Sequence, residues 1–79
     1  MTNLEKYKKT FIDTFSIDSK LLDKNLEYNT INEWDSIGHM TLISEIESVF
    51  DITFETDDII EFSSFDKGGE ILKKYKIEI

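Results

Sequence analysis

The sequence predicts an all-α chain: a four-helix bundle with a long first loop and a short third helix, in one domain over residues 1–79. Three observations predict it. Apolar residues recur at helical spacing in two long stretches, one around Phe11 and one around Ile46. Residues that cap helices stand directly ahead of both stretches. Between them, Ser16 to Asp35 keeps no sustained period.

Thr2 and Glu5 form a Thr-x-x-Glu capping box, and Leu4, Tyr7, Phe11, Ile12 and Phe15 follow on one face. At 100° per residue they span roughly 140° of arc, so the first helix is amphipathic and ends near Phe15 or Ser16. The next segment holds Asn25, Asn29, Thr30 and Asn32 among Leu21, Leu22, Leu26, Tyr28, Ile31 and Trp34. So many large apolar residues predict a loop that is packed down. Asp18 or Ser19 is placed to cap a short turn across Lys20–Lys24, since long connections usually hold such a turn.

The helical rhythm returns from Ser36 to Phe50. Leu42, Ile43, Ile46, Val49 and Phe50 fall within about 120° of arc, and Asp35 stands where a carboxylate caps free amides. The alternating stretch from Asp51 to Thr56 suits a short extended link. Thr56 then caps a short helix over Asp57–Phe62, whose first-turn acids suit the helix dipole. Ser63 and Asp66 form a further cap-like pair before a last helix from Phe65 to about Lys76. In it Phe65, Leu72 and Tyr75, with Ile71, face inward, and lysines lie near the C-terminal end. Gly68-Gly69 interrupts that helix at about 1 kcal/mol per glycine relative to alanine. The pair either admits a close helix–helix approach or marks a later helix start.

Charge is segregated along the chain. The 17 acidic and 9 basic residues leave −8, and every basic residue is lysine. From Asn25 to Asp66 there are eleven acids and no lysine. Such a segment either forms a solvated surface or presents a negative face to basic partners. The balance argues against nucleic-acid binding, whose footprint is basic. Without cysteine the chain has no disulfide, thiolate nucleophile or Cys-ligated metal, and a lone histidine, His39, makes no multi-histidine site. No three consecutive residues are apolar, so no membrane span is expected, and the first residues lack the apolar core of a secretory signal. The expected location is cytoplasmic. A core this small supplies only about 3–5 kcal/mol, which argues against an enzyme with a deep preorganised pocket.

The informative stretch is Trp34-Asp35-Ser36-Ile37-Gly38-His39-Met40. It sets a serine directly after an acidic cap, at the first turn of an amphipathic helix. A hydroxyl there is exposed beside free amides that stabilise an attached phosphate. A Ser–His–Asp hydrolase reading lacks parts, because His39 stands on another helix face and has no evident third member. His39 itself is either a hydrogen-bonded histidine near the mouth of the bundle or part of an entrance lining. Trp34 is either a core plug or a recognition residue.

Asp35-Ser36-Ile37 resembles the Asp-Ser-Leu motif of acyl carrier and peptidyl carrier proteins, in which the serine receives 4′-phosphopantetheine. The resemblance extends over nearly the whole chain. It takes in the opening helix, the long loop, and the second-helix ending Glu45-Ile46-Glu47-Ser48-Val49-Phe50-Asp51-Ile52. It also takes in the acidic segment Thr56-Asp57-Asp58-Ile59-Ile60. It implies an acyl-carrier-type bundle that is not itself an enzyme. A separate phosphopantetheinyl transferase, using coenzyme A and magnesium, would join the arm to Ser36, with Asp35 in support. The arm's thiol would hold an acyl, aminoacyl or peptidyl group as a thioester, so the reactive sulfur comes from the cofactor. Ile37, Met40, Glu45, Glu47, Asp57, Asp58 and Glu61 would dock loading and downstream biosynthetic enzymes that present basic surfaces. Cargo would be sheltered by His39, Leu42, Ile46, Phe50 and Ile59. The chain would act as a monomer. Fatty-acid-type carriers commonly have acids directly after their motif, where this chain has Gly38, His39 and Thr41. The resemblance is accordingly closer to stand-alone carriers of specialised pathways. Two alternatives are an unmodified acidic interaction or regulatory module of the same fold, and a calcium-binding helical protein. The latter would use Asp51 to Asp58, which lacks the loop's ligand spacing and central glycine.

Overall fold

Thr2 begins the fold as its spacing predicts. Its hydroxyl accepts from the Glu5 amide at 3.1 Å, and the Glu5 carboxylate accepts from the Thr2 amide at 3.3 Å. The computed structural model describes residues 1–23 and 25–79, which form four helices and no strand. These are α1 (Asn3–Phe15), α2 (Ser36–Phe50), α3 (Thr56–Glu61) and α4 (Phe65–Lys74). A single 3₁₀ turn, Ser19–Leu21, lies in the long first loop and is capped by Asp18. Lys24, the far end of the turn expected from sequence, lies outside the described residues. Both long helices end on residues in the left-handed region, Ser16 and Asp51, each with φ of 54°.

Aromatic side chains make the core. Phe11 of α1 meets Tyr7, Trp34 and Phe65 edge-on at centroid distances of 5.1, 5.5 and 5.2 Å, and it stacks on Phe62 at 6.3 Å. Such pairings add to the area that these rings bury. Leu42, Ile43 and Ile46 of α2 close the same core, and the largest helix–helix interface is between α1 and α2. Leu4 and Val49 do not join it. Leu4 lies in the first turn of α1, and Val49, at the edge of its helical arc, is 42 % exposed.

The long loop is pinned to the segment between α3 and α4. Tyr28 donates its amide to the Ser63 carbonyl at 2.8 Å, and the Phe65 amide donates to the Leu26 carbonyl at 2.9 Å. An isolated bridge pairs Glu27 with Ser64. Trp34 is fully buried at the end of this loop, as a core plug. Leu26 is buried with it, and Tyr28 and Ile31 pack against the cluster.

Three boundaries differ from the sequence reading. Thr56 is the first residue of α3 and not its cap. Glu55 holds the cap position with no side-chain bond, because the link is fixed from outside it. There the Glu47 carboxylate accepts the Phe54 amide, and the Tyr75 hydroxyl accepts the Glu55 amide, at 2.8 and 2.9 Å. At α4 the cap is Ser64, whose hydroxyl accepts from the Lys67 amide at 2.9 Å. Ser63 instead gives its carbonyl to Tyr28. Finally α4 stops at Lys74, since Lys76 turns to φ 65° and the Ile77 amide returns to the Leu72 carbonyl, which tucks Ile77 into the core.

The glycine pair is resolved as a close approach inside a helix that begins at Phe65. A methyl group at Gly68 would collide with the Phe62 ring and the Tyr7 hydroxyl, whereas one at Gly69 would meet nothing within 4 Å. Gly68 therefore lets α4 settle on α1 and on the end of α3.

Candidate functional site

Asp35 turns the chain into α2. Its backbone is extended, its carboxylate accepts from the Gly38 amide at 2.8 Å, and its carbonyl accepts the His39 amide at 2.8 Å. Gly38 is required at that turn, because a Cβ there would strike the Glu33 carbonyl. Ser36 is thereby the first residue of α2, and its side chain is exposed. The first-turn amides of such a helix lack intrahelical acceptors. Among the described residues the Ser36 hydroxyl has one partner, the Tyr28 hydroxyl at 2.9 Å, and either oxygen is able to donate.

Behind Ser36 runs an open groove of about 390 Å³. Tyr28, His39 and Met40 line one part of it, and Ile59, Ile60 and Phe62 the other, so its lining is mainly apolar. The volume falls at the low end of small-molecule sites. The groove separates α2 from α3, and one side-chain bridge crosses it. His39 accepts the Trp34 indole N–H on Nδ1 at 2.9 Å, and its Nε2 lies 2.9 Å from the Ile59 carbonyl. Indole only donates and a carbonyl only accepts, so these contacts fix the tautomer with the proton on Nε2. Both ring nitrogens are thus occupied, and neither faces Ser36 as a base.

The residues expected to dock partners divide. Ile37 is 78 % exposed and Met40 53 %, and both flank Ser36. Ile60 of α3 adds a third exposed apolar side chain at 73 %. Glu45, Asp57 and Glu61 are exposed on α2 and α3. Glu47 is half-buried and holds the Phe54 amide. Asp58 is the clearest correction, being only 5 % exposed. It accepts from the Lys74 ammonium at 2.7 Å and from the Tyr75 hydroxyl, and so ties α3 to α4. The Lys74 bond first, then the Tyr75 bond, holds its carboxyl below the usual aspartate range. Lys74 is raised chiefly by the same bond, and Tyr75 is raised by burial and by donating to Asp58.

The expected cargo residues also divide. His39 and Ile59 line the groove. Leu42 and Ile46 are fully buried in the core and Phe50 is half-buried, and none of the three lines the groove. The space they were expected to enclose is filled by the aromatic cluster. Tyr28, Ile60 and Phe62 belong to the groove without having been singled out from sequence. Adjacent Ile59 and Ile60 in a six-residue helix were a usable signal, since positions about 100° apart turn one of the two toward the edge of a short helix's inner face. Tyr28 carried none, because its loop has no period.

No helix among the described residues is long and apolar enough to cross a membrane. No family model matches the chain, and no curated protein or solved structure is significantly similar to it.

Proposed function

We propose that this chain is a carrier protein of the acyl or peptidyl carrier type, with Ser36 as the point to which 4′-phosphopantetheine is attached. One observation carries the proposal: an exposed serine hydroxyl opens α2 at the mouth of an apolar groove, with no base among the described residues bonded to it. An acceptor of that kind suits modification by a second protein better than catalysis within the chain. The surroundings suit the group. The first-turn amides that Asp35 does not cap favour a phosphodiester, and the groove offers the arm an apolar wall. When bound, the arm supplies a thiol that carries acyl, aminoacyl or peptidyl cargo as a thioester.

The chain's own residues have simpler tasks. Asp35 holds the turn that presents Ser36, and Gly38 lets that turn close. Ile37, Met40 and Ile60 surround the attachment point with apolar contact area. Glu45, Asp57 and Glu61 add negative charge that steers basic partners, namely the phosphopantetheinyl transferase and then the loading and downstream enzymes. The missing acids after the motif favour a specialised pathway over primary fatty-acid synthesis.

Incubation with coenzyme A, magnesium and a broad-range phosphopantetheinyl transferase, followed by intact mass, tests the proposal. Wild type should gain one phosphopantetheine, and Ser36→Ala should gain none while keeping its helical circular dichroism. An unmodified wild type would refute the assignment and leave the acidic interaction module in its place.

A further inference from the structure

Tyr28 lies eight residues before Ser36, in a loop without helical period, yet its hydroxyl is the Ser36 hydroxyl's partner at 2.9 Å. The ring reaches there because it is fixed at two other points. Its amide is bonded to the Ser63 carbonyl at 2.8 Å, and the Glu27–Ser64 bridge holds the preceding residue. Its ring and the His39 ring meet edge to face at a centroid distance of 5.7 Å. His39 is in turn immobilised by Trp34 and the Ile59 carbonyl. The phenol is therefore delivered to Ser36 by a chain of packed groups, at the rim of the groove.

Resting on the proposed role of Ser36, we infer that Tyr28 is a positioning residue: it sets the Ser36 hydroxyl for modification and afterwards donates to the phosphodiester attached there. The donor count supports this. A serine hydroxyl both donates and accepts, so either oxygen can donate while Ser36 is free. Once esterified, the serine oxygen has no proton, and the phenol becomes the only donor of the pair. Beside it the modification has placed anionic oxygens, which accept more strongly than a neutral hydroxyl. The bond therefore strengthens in the modified form. The root of the arm is then held against Tyr28, on the side of Ser36 that faces the groove.

Tyr28→Phe removes the hydroxyl and keeps the ring against His39. Loading of the variant should show kcat/KM lowered about three- to tenfold, the range of one hydrogen bond. A purely structural loss would move thermal stability alone. The discriminating readout is the phosphorus-31 resonance of the modified protein, which should differ between wild type and Tyr28→Phe. In wild type alone, the Tyr28 ring resonances should shift on modification, a measurement that does not depend on the variant folding. Equal loading rates with coincident phosphorus resonances would overturn the role of Tyr28 and leave Ser36 standing as the attachment point. Unmoved Tyr28 ring resonances in modified wild type would do the same. A wild type that accepts no arm would overturn both.

Discussion

Adjacent glycines in α4 should respond to alanine with opposite signs. At Gly68 the new methyl overlaps the Phe62 ring and the Tyr7 hydroxyl. Neither is a free end. Phe62 is fully buried, and Tyr7 is buried with its hydroxyl donating to the Phe65 carbonyl at 2.6 Å. Overpacking costs about 1–3 kcal/mol, here about 2–3 because the methyl meets two buried side chains that are fixed in place, and alanine returns about 1 kcal/mol of helix propensity. The net loss is about 1–2 kcal/mol. A chain of this length unfolds with roughly 0.17 kcal/mol/K, so each kcal/mol moves Tm by about 6 °C. Gly68→Ala should melt about 6–12 °C below wild type. At Gly69 the methyl meets nothing within 4 Å and no glycine has positive φ, so only the propensity gain applies. Gly69→Ala should melt up to about 6 °C higher. Thermal and urea unfolding followed by circular dichroism measure both. Two shifts of the same sign would refute the close approach of α4 to Tyr7 and Phe62. Because Phe62 also lines the groove, Gly68→Ala should perturb amide resonances around Ser36, whereas Gly69→Ala should not.

Asp35→Ala removes a cap worth about 1 kcal/mol and should lower Tm by about 6 °C. It should also slow loading at Ser36 by loosening the turn, and unchanged melting would count against the cap. Stability should hold between about pH 4 and pH 10 and fall outside that window. On the acid side the lowered Asp58 carboxyl loses its contribution as pH drops through its folded value, below the ordinary aspartate range. On the alkaline side three raised groups lose theirs as pH climbs through their folded values. They are Tyr7, raised by burial and then by Asp66, together with Lys74 and Tyr75. In urea titrations, Asp58→Asn should flatten the acid limb relative to wild type, and parallel limbs would show that Asp58 does not govern it.

What was legible in the sequence was local. Thr2 with Glu5, and Asp35 ahead of Gly38, announce helix starts because capping joins residues three apart. The faces around Phe11 and Ile46 follow from a 3.6-residue period. Ser36 was found the same way, from its place after a cap. Contacts between distant segments were hidden. The Tyr28 to Ser36 bond, the Glu27–Ser64 bridge and the Asp58 to Lys74 pair join positions with no shared period. The Ser63 and Ser64 caps illustrate the limit. Two serines are equal as caps until a remote tyrosine amide claims the carbonyl of one. Asp58 reads as a solvated first-turn acid beside Asp57, and only the return of α4 shows that it is covered.

Asp35 and His39, on either side of Ser36, and Asp58 farther along α3 are already committed within the chain. Asp35 serves Gly38, His39 serves Trp34 and Ile59, and Asp58 serves Lys74 and Tyr75. An enzyme keeps such groups poised for its substrate, with a base in reach of the nucleophile. Here they brace α2, α3 and α4 against one another, and the hydroxyls of Ser36 and Tyr28 are left at the surface. Under the proposed function, a platform whose polar side chains are spent on rigidity would hold one acceptor in a constant place for a succession of partner enzymes. A bare interaction module needs the exposed Ile37, Met40 and Ile60 but has no use for the hydroxyl between them. Ser36→Ala therefore separates the two: a module's binding to a basic partner would survive the substitution, and a carrier's turnover would not.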